Sequence, residues 1–478
     1  MTVSLNATDP NRPSRSDETL SLTEQLAGWL LAQKRTGIPA ATIERARGYL
    51  LDWLGSALAG HGTEPGRQLL DYAAEQPSGT VPVVGSEMAR GADVATLVNG
   101  GLSHIVEMDD LDRGSVVHPA AVVMPAALAA AKQTNASGRE LLSAIVAGYE
   151  VAIRIGEAVG KEHYFYFHNT STCGVFGAAA AAGWILGLTQ QQMVWALGNA
   201  GTQAGGLWQF NADGAMSKHL HAGRAAANGH LAATLAAKGF TGARGILEGP
   251  RGFFAATAPD ARPEHVVDGL KLHPDAYRLQ GVSIKPYASC RHTHAAIDAA
   301  LAIRPQLHDR PVETVLVETY QAALNLCDNA QPSTPYAAKF SLQYCIASAL
   351  QRGSVGLEAF QYESIHDPDL RAFLPRVTGR ANAVYDAHYP QAWQARVEVR
   401  LEDGSELSHT VTAPKGDPEN PMAPTELETK FRRLAAFGGH EEQSETWLRW
   451  VAALAHDEGS GFPRLPRPAA KNSSPRPS

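Results

Sequence analysis

The sequence predicts a mainly α protein in which a smaller α+β domain is inserted into a large all-α helical domain. Between residues 21 and 280, apolar residues recur at helical spacing, and Ala, Leu and Gly fill the interior positions. Within residues 281–415, β-branched residues alternate with polar ones, which is typical of strands. Helical spacing returns in residues 416–456. We therefore expect a discontinuous helical domain, with residues 21–280 and 416–456 on either side of the inserted domain.

Apolar stripes and glycines predict individual helices. Residues 178–186 and 225–238 have small apolar interiors, and Gly187 and Gly239 follow them where a glycine commonly ends a helix. The many Ala and Gly residues indicate that the helices pack closely. The stripes that predict the first two helices are Leu22, Leu26, Trp29 and Leu30, and then Leu50, Trp53, Leu54, Ala57 and Leu58.

Two stretches predict β structure in the inserted domain. Residues 312–320 are predicted to form one strand, and residues 395–401 and 407–412 a hairpin that turns at Asp403-Gly404. We expect one face of the hairpin to be buried against a helix around residues 341–351. The residues on that face are Ala395, Val397, Val399 and Leu401.

Composition excludes several classes of protein. The 478 residues are 44% hydrophobic and 19% charged, which suits a globular chain of two domains. The formal net charge is -7, and no segment gathers the Lys and Arg residues that bind phosphate backbones. We therefore expect no nucleic acid as a partner.

The ends of the chain and the cysteines predict a cytoplasmic protein. Residues 1–20 are predicted to be a flexible N-terminus without the apolar segment of a secretory signal, and residues 457–478 a disordered Pro/Ser/Arg-rich tail. Apolar runs stay below the roughly 18 residues of a membrane span, so no membrane association is expected. The four cysteines show no C-x-x-C spacing, which indicates reduced thiols and argues against an iron–sulfur cluster.

The first candidate site combines carboxylates with two histidines between apolar helices. Such a cluster is harder to explain as a solvated face than as a functional site. An alternative is that the acids cap a helix that starts near Pro119. A metal site is a further alternative, which the spacing disfavours because it matches no ligand signature. The residues of the cluster are His104, Glu107, Asp109, Asp110, Asp112 and His118.

A second candidate site precedes the helix of small residues that begins near Gly174. Tyr164, Tyr166 and His168 lie in a polar stretch there, and a helix N-terminus favours anions such as a carboxylate. The alternative is that the two tyrosines are ordinary packing residues.

A third candidate site is the cationic segment around Lys218. In a helix, Lys218, His221 and Arg224 lie on adjacent turns of one face, and the small residues beside them indicate burial. A buried lysine has a lowered pKa or a paired carboxylate, which is how lysines become catalytic. The alternative is a set of long side chains at the edge of a helical bundle that reach for solvent.

A fourth candidate site lies at the predicted domain junction, where ligands commonly bind. Lys285, Cys290, Arg291, His292 and His294 fall within ten residues there. Arg291 beside Cys290 favours the thiolate, although no local signature marks a cysteine nucleophile. The alternative is a structural hinge with solvated charges.

The motifs at these sites resemble those of the MmgE/PrpD family, in the same order and over about residues 22–456. The resemblance implies a large helical domain, a smaller α+β lid, an active site in the cleft between them, a homodimer, and catalysis without metal or cofactor. By position, the family's active-site histidines and lysines correspond to His118, His168, Lys218 and Lys285. The segments that carry the resemblance are residues 104–110 with His118-Pro119, Phe167-His168 before residues 174–177, residues 218–223, Lys285-Pro286-Tyr287, residues 51–55 and residues 415–418.

Two positions depart from the decarboxylases of this family. Glu107 falls where they have aspartate, and Cys290 falls where they have a histidine of the site. The residues after His168 are Asn169-Thr170 instead of a turn that contains proline. The histidine missing at Cys290 weighs against decarboxylase activity, and the Asn169-Thr170 turn is expected to reshape the pocket.

The resemblance implies an enzyme that removes a proton next to a carboxylate of a small di- or tricarboxylate. Family members include 2-methylcitrate dehydratase, cis-aconitate decarboxylase and iminodisuccinate epimerase. A hydro-lyase of the first type is the leading hypothesis. An epimerase, which needs two groups on opposite sides of one carbon, is the next, with Lys218 and Tyr166 as one pair. A decarboxylase and a carboxylate-binding scaffold without turnover are the remaining alternatives.

Each candidate residue has an expected role in this chemistry. Cationic groups hold carboxylates and stabilise enolate-like charge, while a positioned base takes the proton. His118 and His168 are the candidate bases. The full set of expected catalytic residues is His118, His168, Lys218, Lys285, Glu107 and Tyr166, and that of expected substrate-binding residues is His221, Arg291, Asp109 and Cys290.

Overall fold

The structure is a computed structural model that describes residues 20–270, 276–457, 461–462 and 465–466. The predicted flexible N-terminus and disordered tail lie almost wholly outside the described residues. Within them, helices dominate and strands are few, which confirms the predicted mainly α class. None of the described helices has both the length and the hydrophobicity needed to cross a membrane.

The α-helices follow the apolar patterning of the sequence. The glycines predicted to end helices do so, because Gly187 and Gly239 adopt φ of 67° and 88° just beyond α9 and α12. The helices of residues 20–270 are α1 Leu22–Thr36, α2 Ala40–Gly60, α3 Glu64–Glu75, α4 Ala92–Ile105, α5 Pro119–Thr134, α6 Gly138–Ala158, α7 Gly160–Tyr166, α8 Asn169–Thr172, α9 Gly174–Ile185, α10 Gln190–Gly201, α11 Gln209–Asp213, α12 Ser217–Ala237 and α13 Phe253–Thr257.

Further helices follow in the second half of the chain. The last two pack back on the first half, since α21 contacts α2, and α22 contacts α2 and α6. The division into domains at residues 281 and 415 stays a prediction. These helices are α14 His294–Ile303, α15 Gln321–Cys327, α16 Pro335–Lys339, α17 Leu342–Arg352, α18 Tyr362–Ile365, α19 Pro368–Phe373, α20 Ala383–His388, α21 Pro424–Phe437 and α22 Ser444–Leu454.

Small residues let the central helices approach closely. The helix α9 is buried along its whole length and contacts α5, α6 and α12. A Cβ at Gly148 would lie 2.9 Å from the Gly177 carbonyl oxygen, and a Cβ at Gly177 would lie 2.6 Å from the Gly148 carbonyl oxygen. Because either side chain would overlap the opposing backbone, these glycines set the spacing of α6 and α9.

The largest sheet has four strands in the order β6-β5-β7-β8. The strand β5 pairs with β6 in parallel and with β7 in antiparallel orientation, and β7 pairs with β8 in antiparallel orientation. Both predicted sites of β structure are present, and the predicted apolar face of β7 is buried. The strands are β1 Ser78–Pro82, β2 Ala89–Arg90, β3 Leu111–Asp112, β4 Val282–Ser283, β5 Val312–Thr319, β6 Val377–Ala381, β7 Ala395–Leu401 and β8 Glu406–Val411.

The prediction of which helix packs against the hairpin was wrong. The helix α14 contacts both β7 and β8, whereas α17, which covers the expected region, contacts α14 and β6. The sequence of α14, HAAIDAALAI, is apolar on more than one side. It can therefore lie between the sheet and α17, a position that an amphipathic helix with one polar face could not fill.

The stretch predicted as all-α also contains short strands. The pair β1 and β2 forms a small antiparallel sheet beside α4 and α5. The strand β3 follows the His104 cluster and pairs with β4, where Leu111 lies opposite Ser283 and Asp112 opposite Val282. This pairing holds the loop after α4 next to the segment that carries Lys285.

Candidate active site

Most of the residues predicted from sequence line one narrow cavity. Wider surface clefts occur beside Arg310 and beside Lys415, but the buried ionisable groups converge on the narrow one. The predicted residues that line it are Glu107, His118, His168, Lys218, Lys285, Cys290 and Arg291. The other lining residues are Leu111, Val116, Tyr164, Trp208, His292, Leu326, Phe340 and Trp393.

Glu107 bridges two lysines inside this cavity. Its Oε1 forms an ion pair with the Lys218 Nζ, and its Oε2 lies 3.2 Å from the Lys285 Nζ. All three side chains are buried. Burial opposes the charged carboxylate, but the two ammonium groups outweigh it and hold the pKa of Glu107 well below its usual range. Glu107 therefore stays ionised, and the trio carries one net positive charge.

The backbone around Glu107 is held by lysines from three separate parts of the chain. Glu107 has φ of 59°, a left-handed conformation that costs a residue with a side chain about 1 kcal/mol or more. Three consecutive carbonyl oxygens accept hydrogen bonds there from buried ammonium groups. These hydrogen bonds hold the turn in its strained conformation. The donors are Lys339 to Val106 at 2.8 Å, Lys285 to Glu107 at 3.2 Å, and Lys430 to Met108 at 2.7 Å.

Lys430 has a second partner beside this turn. Its Nζ also forms a buried ion pair with Asp52 of α2. Burial lowers the pKa of Lys430, and it raises the pKa of Asp52 to about 6. The pair therefore links α21, α2 and the Glu107 turn.

Three histidine rings lie in contact beside the lysines, with His104 stacked on His168 and edge to face with His118. His104 Nδ1 hydrogen-bonds Asp109 Oδ2 at 2.6 Å, and His118 Nδ1 lies 3.4 Å from the same oxygen. The His104 ring centroid is 4.9 Å from that of His118 and 5.5 Å from that of His168. Burial lowers the pKa of His118 to about 4 and holds that of His168 well below its usual value. Both rings are therefore neutral near pH 7 and able to accept a proton.

The remaining acids of the first cluster have structural partners. Asp110 Oδ1 accepts from the backbone N–H of Ala120 at 3.1 Å, and Asp110 Oδ2 from the Tyr149 hydroxyl at 2.6 Å. The capping interpretation is thus correct for Asp110. Asp109 lies behind the histidines and outside the cavity lining, which does not support its expected contact with substrate.

His104, Asp109 and His118 form the group of the described residues whose donor atoms could meet at a metal ion, all within 4.8 Å. Two ligands on one ion at about 2.0–2.2 Å lie near 3 Å apart. The 2.6 Å contact from His104 to Asp109 is shorter and has the length of a direct hydrogen bond. The expectation that no metal takes part stays a prediction.

Tyr166 and Arg224 lie away from the cavity. The Tyr166 side chain is 61% exposed, whereas Tyr164 lines the cavity. Because the two tyrosines are two positions apart on α7, they are separated by about 200° of rotation around the helix axis. The two rings therefore lie on different sides of the helix. Arg224 is exposed and lies 3.6 Å from Asp93, as the solvent-seeking alternative predicted. Lys218 and Tyr166 therefore cannot act on opposite faces of one carbon.

His221 is half-buried and lies outside the cavity lining, which does not support its expected contact with substrate. Its ring centroid is 5.7 Å from that of His168. It therefore supports the ring of a candidate base.

Arg291 is a cavity residue whose outer nitrogens are already occupied. It forms a buried ion pair with Asp417, and its Nη1 donates to the Lys415 carbonyl oxygen at 3.0 Å. Its buried Nε has no hydrogen-bond partner among the described residues. Cys290, the neighbouring lining residue, has a lowered pKa because the Cys327 thiol donates a hydrogen bond to its sulfur.

Sequence reasoning named His292 but missed the aromatic residues around it in the cavity. His292 stacks on Trp393 with ring centroids 4.2 Å apart, and its Nδ1 hydrogen-bonds the Tyr320 hydroxyl at 2.7 Å. The ring centroid of Phe340 lies 5.4 Å from the Lys218 Nζ. These aromatic residues come from separate segments without a shared pattern, so no local signal in the sequence marks them.

Sequence reasoning also missed the lysines behind the Glu107 turn, Lys339 and Lys430. Asp52, the partner of Lys430, is the residue that could have indicated one of them. It is an isolated acid inside the apolar run of residues 49–54, which predicts a buried partner. Nothing comparable marks Lys339.

Comparison with known proteins agrees with the arrangement of the motifs. Models of the MmgE/PrpD N-terminal and C-terminal domains match residues 24–266 and 287–455. A cis-aconitate decarboxylase-like protein of Aspergillus oryzae is 28% identical over 447 residues, which are 87% of this chain and 91% of that protein. The cis-aconitate decarboxylase of Aspergillus terreus is 28% identical over 444 residues, or 87% of this chain and 89% of that protein. That of Homo sapiens is 28% identical over 439 residues, or 87% and 88%. The two family models together cover most of the sequence, and the chain belongs to the MmgE/PrpD family.

Proposed function

We propose that the protein is a cofactor-independent lyase that removes a proton next to a carboxylate of a small di- or tricarboxylic acid and expels a hydroxyl as water. The family and the named relatives support lyase chemistry in general. The observation that carries the proposal is the meeting of Lys218, Lys285 and two neutral histidines around one cavity. This set combines fixed cations with groups able to accept a proton.

The lysines serve the carboxylate in this mechanism. Lys218 and Lys285 each pair with one oxygen of the charged Glu107 carboxylate. Their positive charges are therefore fixed in place before substrate arrives. Charges oriented in advance stabilise the enolate-like anion that forms when the α-proton leaves. Glu107 itself is a poor base because its pKa is lowered, and it acts as the counter-ion that positions the lysines.

The histidines move the protons. His118 or His168 takes the α-proton with its lone pair, and the electrons of the C–H bond form the new double bond. The C–O bond to the hydroxyl on the adjacent carbon breaks, and the hydroxyl leaves as water with the proton of the imidazolium that formed when the histidine took the α-proton. The products are an unsaturated acid and water.

A decarboxylase is the second candidate, and the names of the relatives favour it. In that reaction the bond to one carboxylate breaks, carbon dioxide leaves and a proton is added to the carbon. Cys290 in place of the histidine of the family's decarboxylases weighs against it. The epimerase alternative loses support because Tyr166 is on the surface.

We also propose that the enzyme acts as a cytoplasmic homodimer. Exposed apolar side chains beside α7 support a partner surface, because such groups seldom cluster on a monomer. Phe165 and Leu207 are 74% and 59% exposed, and a backbone bridge between Phe167 and Leu207 brings them together. Light scattering should give twice the mass of one chain, and Leu207→Glu should reduce that mass.

A panel of di- and tricarboxylates in D₂O tests the proposed activity. A hydro-lyase gives ultraviolet absorbance from a conjugated double bond, and deuterium appears only at the α-carbon of substrate that the reverse reaction re-forms. A decarboxylase releases carbon dioxide, and an epimerase incorporates deuterium without a double bond. The absence of all these signals across the panel, with a folded protein, would favour the scaffold. The matched variants are Lys218→Met, which should abolish the signal, and Arg224→Met on the same helix, which should keep it.

A further inference from the structure

We propose that His292 is the residue that recognises the hydroxyl group of the substrate, to which it offers the N–H of a neutral imidazole. This inference rests on the proposed function, because the hydroxyl is the group that the lyase expels. It is carried by one unpartnered nitrogen of a buried ring in the cavity wall, and by the partners that fix the rest of that ring.

The His292 ring is held on its face and on one edge. It stacks on the Trp393 ring with centroids 4.2 Å apart and planes within 4°. Its Nδ1 hydrogen-bonds the hydroxyl of Tyr320, which lies outside the cavity lining, at 2.7 Å. His292 itself lines the cavity and is 4% exposed. Because the two ring nitrogens bond in diverging directions, Nε2 is the polar edge of the ring that remains for the cavity.

The partners of the ring assign its single proton to Nε2. Tyr320 is 1% exposed, and a buried phenol needs an acceptor for its O–H. Among the described residues, that acceptor is the His292 Nδ1. A neutral imidazole carries one proton, which therefore lies on Nε2. The Nε2 atom is buried and has no hydrogen-bond partner within the described part of the chain. The cavity wall thus contains an N–H donor that awaits an acceptor.

The chemistry of this donor fits a hydroxyl oxygen. Burial, with the charge of Lys285 nearby, lowers the pKa of His292 to about 3, so the ring is uncharged near pH 7. Its neighbours Trp393 and Tyr320 belong to a small apolar cluster. A carboxylate is better served by Lys218 and Lys285, because a buried charge needs an opposite charge. A substrate without the hydroxyl would leave the Nε2–H unpaired, which costs binding free energy.

The hydrogen bond also acts during the reaction. His292 holds the hydroxyl oxygen while the C–O bond breaks, and the bond strengthens as negative charge develops on that oxygen. His292 keeps its own proton, because a neutral imidazole is a very weak acid. The proton that completes the water molecule comes from the imidazolium of His118 or His168. His292 is therefore a specificity residue and is not the base.

Two pairs of acids that differ only in one hydroxyl group test the inference. They are citrate with tricarballylate, and malate with succinate. Isothermal titration calorimetry measures the dissociation constant of each acid, and absorbance of the same solutions reports any turnover. In the wild-type protein, the hydroxy acid of at least one pair should bind about fivefold more tightly than its partner, which is the worth of one hydrogen bond.

Variants of His292 assign this preference to its N–H. His292→Phe keeps an aromatic ring against Trp393 and removes the donor, so the preference should fall to about twofold or less while the acid without the hydroxyl binds as before. His292→Gln, whose amide N–H can replace the Nε2 donor, should keep part of the preference. Thermal unfolding verifies that both variants fold.

A pair of tyrosine variants tests the assignment of the proton. Tyr320→Phe removes the hydroxyl that keeps the His292 proton on Nε2, so it should lower the preference. Tyr389→Phe is the matched control, because its ring lies 4.7 Å from that of Tyr320 but its hydroxyl makes no hydrogen bond to His292 among the described residues. It should leave the preference unchanged. Equal effects of the two variants would overturn the assignment of the proton to Nε2.

The outcomes separate this inference from the proposed function. Equal binding within both pairs, or an undiminished preference in His292→Phe, overturns the inference and leaves the lyase proposal standing. Equal loss of affinity for both acids of a pair in His292→Phe would show a packing role and also overturns it. A preference that His292→Phe removes, without turnover of any acid, supports hydroxyl recognition and overturns the lyase proposal. Neither binding nor reaction across the whole panel overturns both.

Discussion

The two sides of the cavity differ in the chemistry that they supply. The N-terminal side, which comprises the lining residues from Glu107 to Lys218, contains both candidate bases and the bridging carboxylate. The C-terminal side, which comprises those from Lys285 to Trp393, contributes two cations and much of the apolar surface. We infer that the N-terminal side carries out proton transfer, whereas the C-terminal side mainly selects and holds the substrate.

The largest effect is expected from Lys218 on the N-terminal side. In Lys218→Met, the fixed cation that stabilises the anionic intermediate is lost, and we expect kcat to fall about 10³-fold. Cys290→Ser on the C-terminal side should change kcat less than tenfold. Comparable losses in both variants would contradict the assignment of chemistry to the N-terminal side. Steady-state kinetics with a reacting acid measure both.

A second prediction concerns the lysine behind the Glu107 turn. Lys430→Met leaves Asp52 buried without its cation, and we expect the free energy of unfolding to fall by about 3 kcal/mol. The double variant Asp52→Asn/Lys430→Met should regain part of this stability, because no charge is left unpaired. Urea denaturation at pH 7 measures the three proteins. A single variant as stable as the wild type would show that the turn is held without Lys430.

The pH dependence of the reaction tests the candidate base. His118 must be unprotonated to accept a proton, and its pKa is lowered to about 4 by burial. The value of kcat/KM should therefore be constant from pH 7 down to about pH 5 and fall tenfold per pH unit below about pH 4. A decline that begins near pH 6.5 would mean that the base is not shielded from water. Circular dichroism at each pH separates this effect from unfolding.

Tyr166 should have a small effect. Because its side chain is 61% exposed and outside the lining, Tyr166→Phe should change kcat/KM less than twofold. Tyr164→Phe, which alters a lining residue of the same helix, is the matched comparison and should have the larger effect. The reverse order would restore the sequence-based assignment of Tyr166.

The smallest effect is expected from chelation of metal ions. Since His104 and Asp109 are joined by a direct hydrogen bond, dialysis against EDTA should leave kcat/KM unchanged, and added Zn²⁺ should not raise it. Loss of activity on chelation that Zn²⁺ reverses would identify the His104, Asp109 and His118 group as a metal site on the N-terminal side.

The sequence predicts the N-terminal side better than the C-terminal side, for a physical reason. Glu107 and Lys218 stand out because charged residues are rare within apolar helical segments. Phe340 and Trp393 are apolar residues in segments where apolar residues are expected, so only the folded chain reveals that they meet.

The elements of the fold also differ in how well the sequence predicts them. The helices were predicted from apolar spacing over many residues, whereas β6 was not. It has only five residues, VTGRA, and its parallel partner β5 lies more than fifty residues earlier in the sequence. A short strand with a glycine gives little local signal, and its pairing depends on the tertiary structure. The sequence analysis assigned Tyr166 to the site, whereas Tyr164 lines the cavity. Adjacent polar and aromatic residues do not show which side of a short helix faces the interior.

The lysines that hold the Glu107 turn have a consequence for the order in which the protein matures. The turn is made early during synthesis, Lys285 and Lys339 emerge much later, and Lys430 lies in α21, near the end of the described helices. A ribosome-bound chain that has not yet released α21 therefore lacks one of the three bonds that fix the turn. We therefore expect the turn to be held by all three lysines only after α21 has been synthesised.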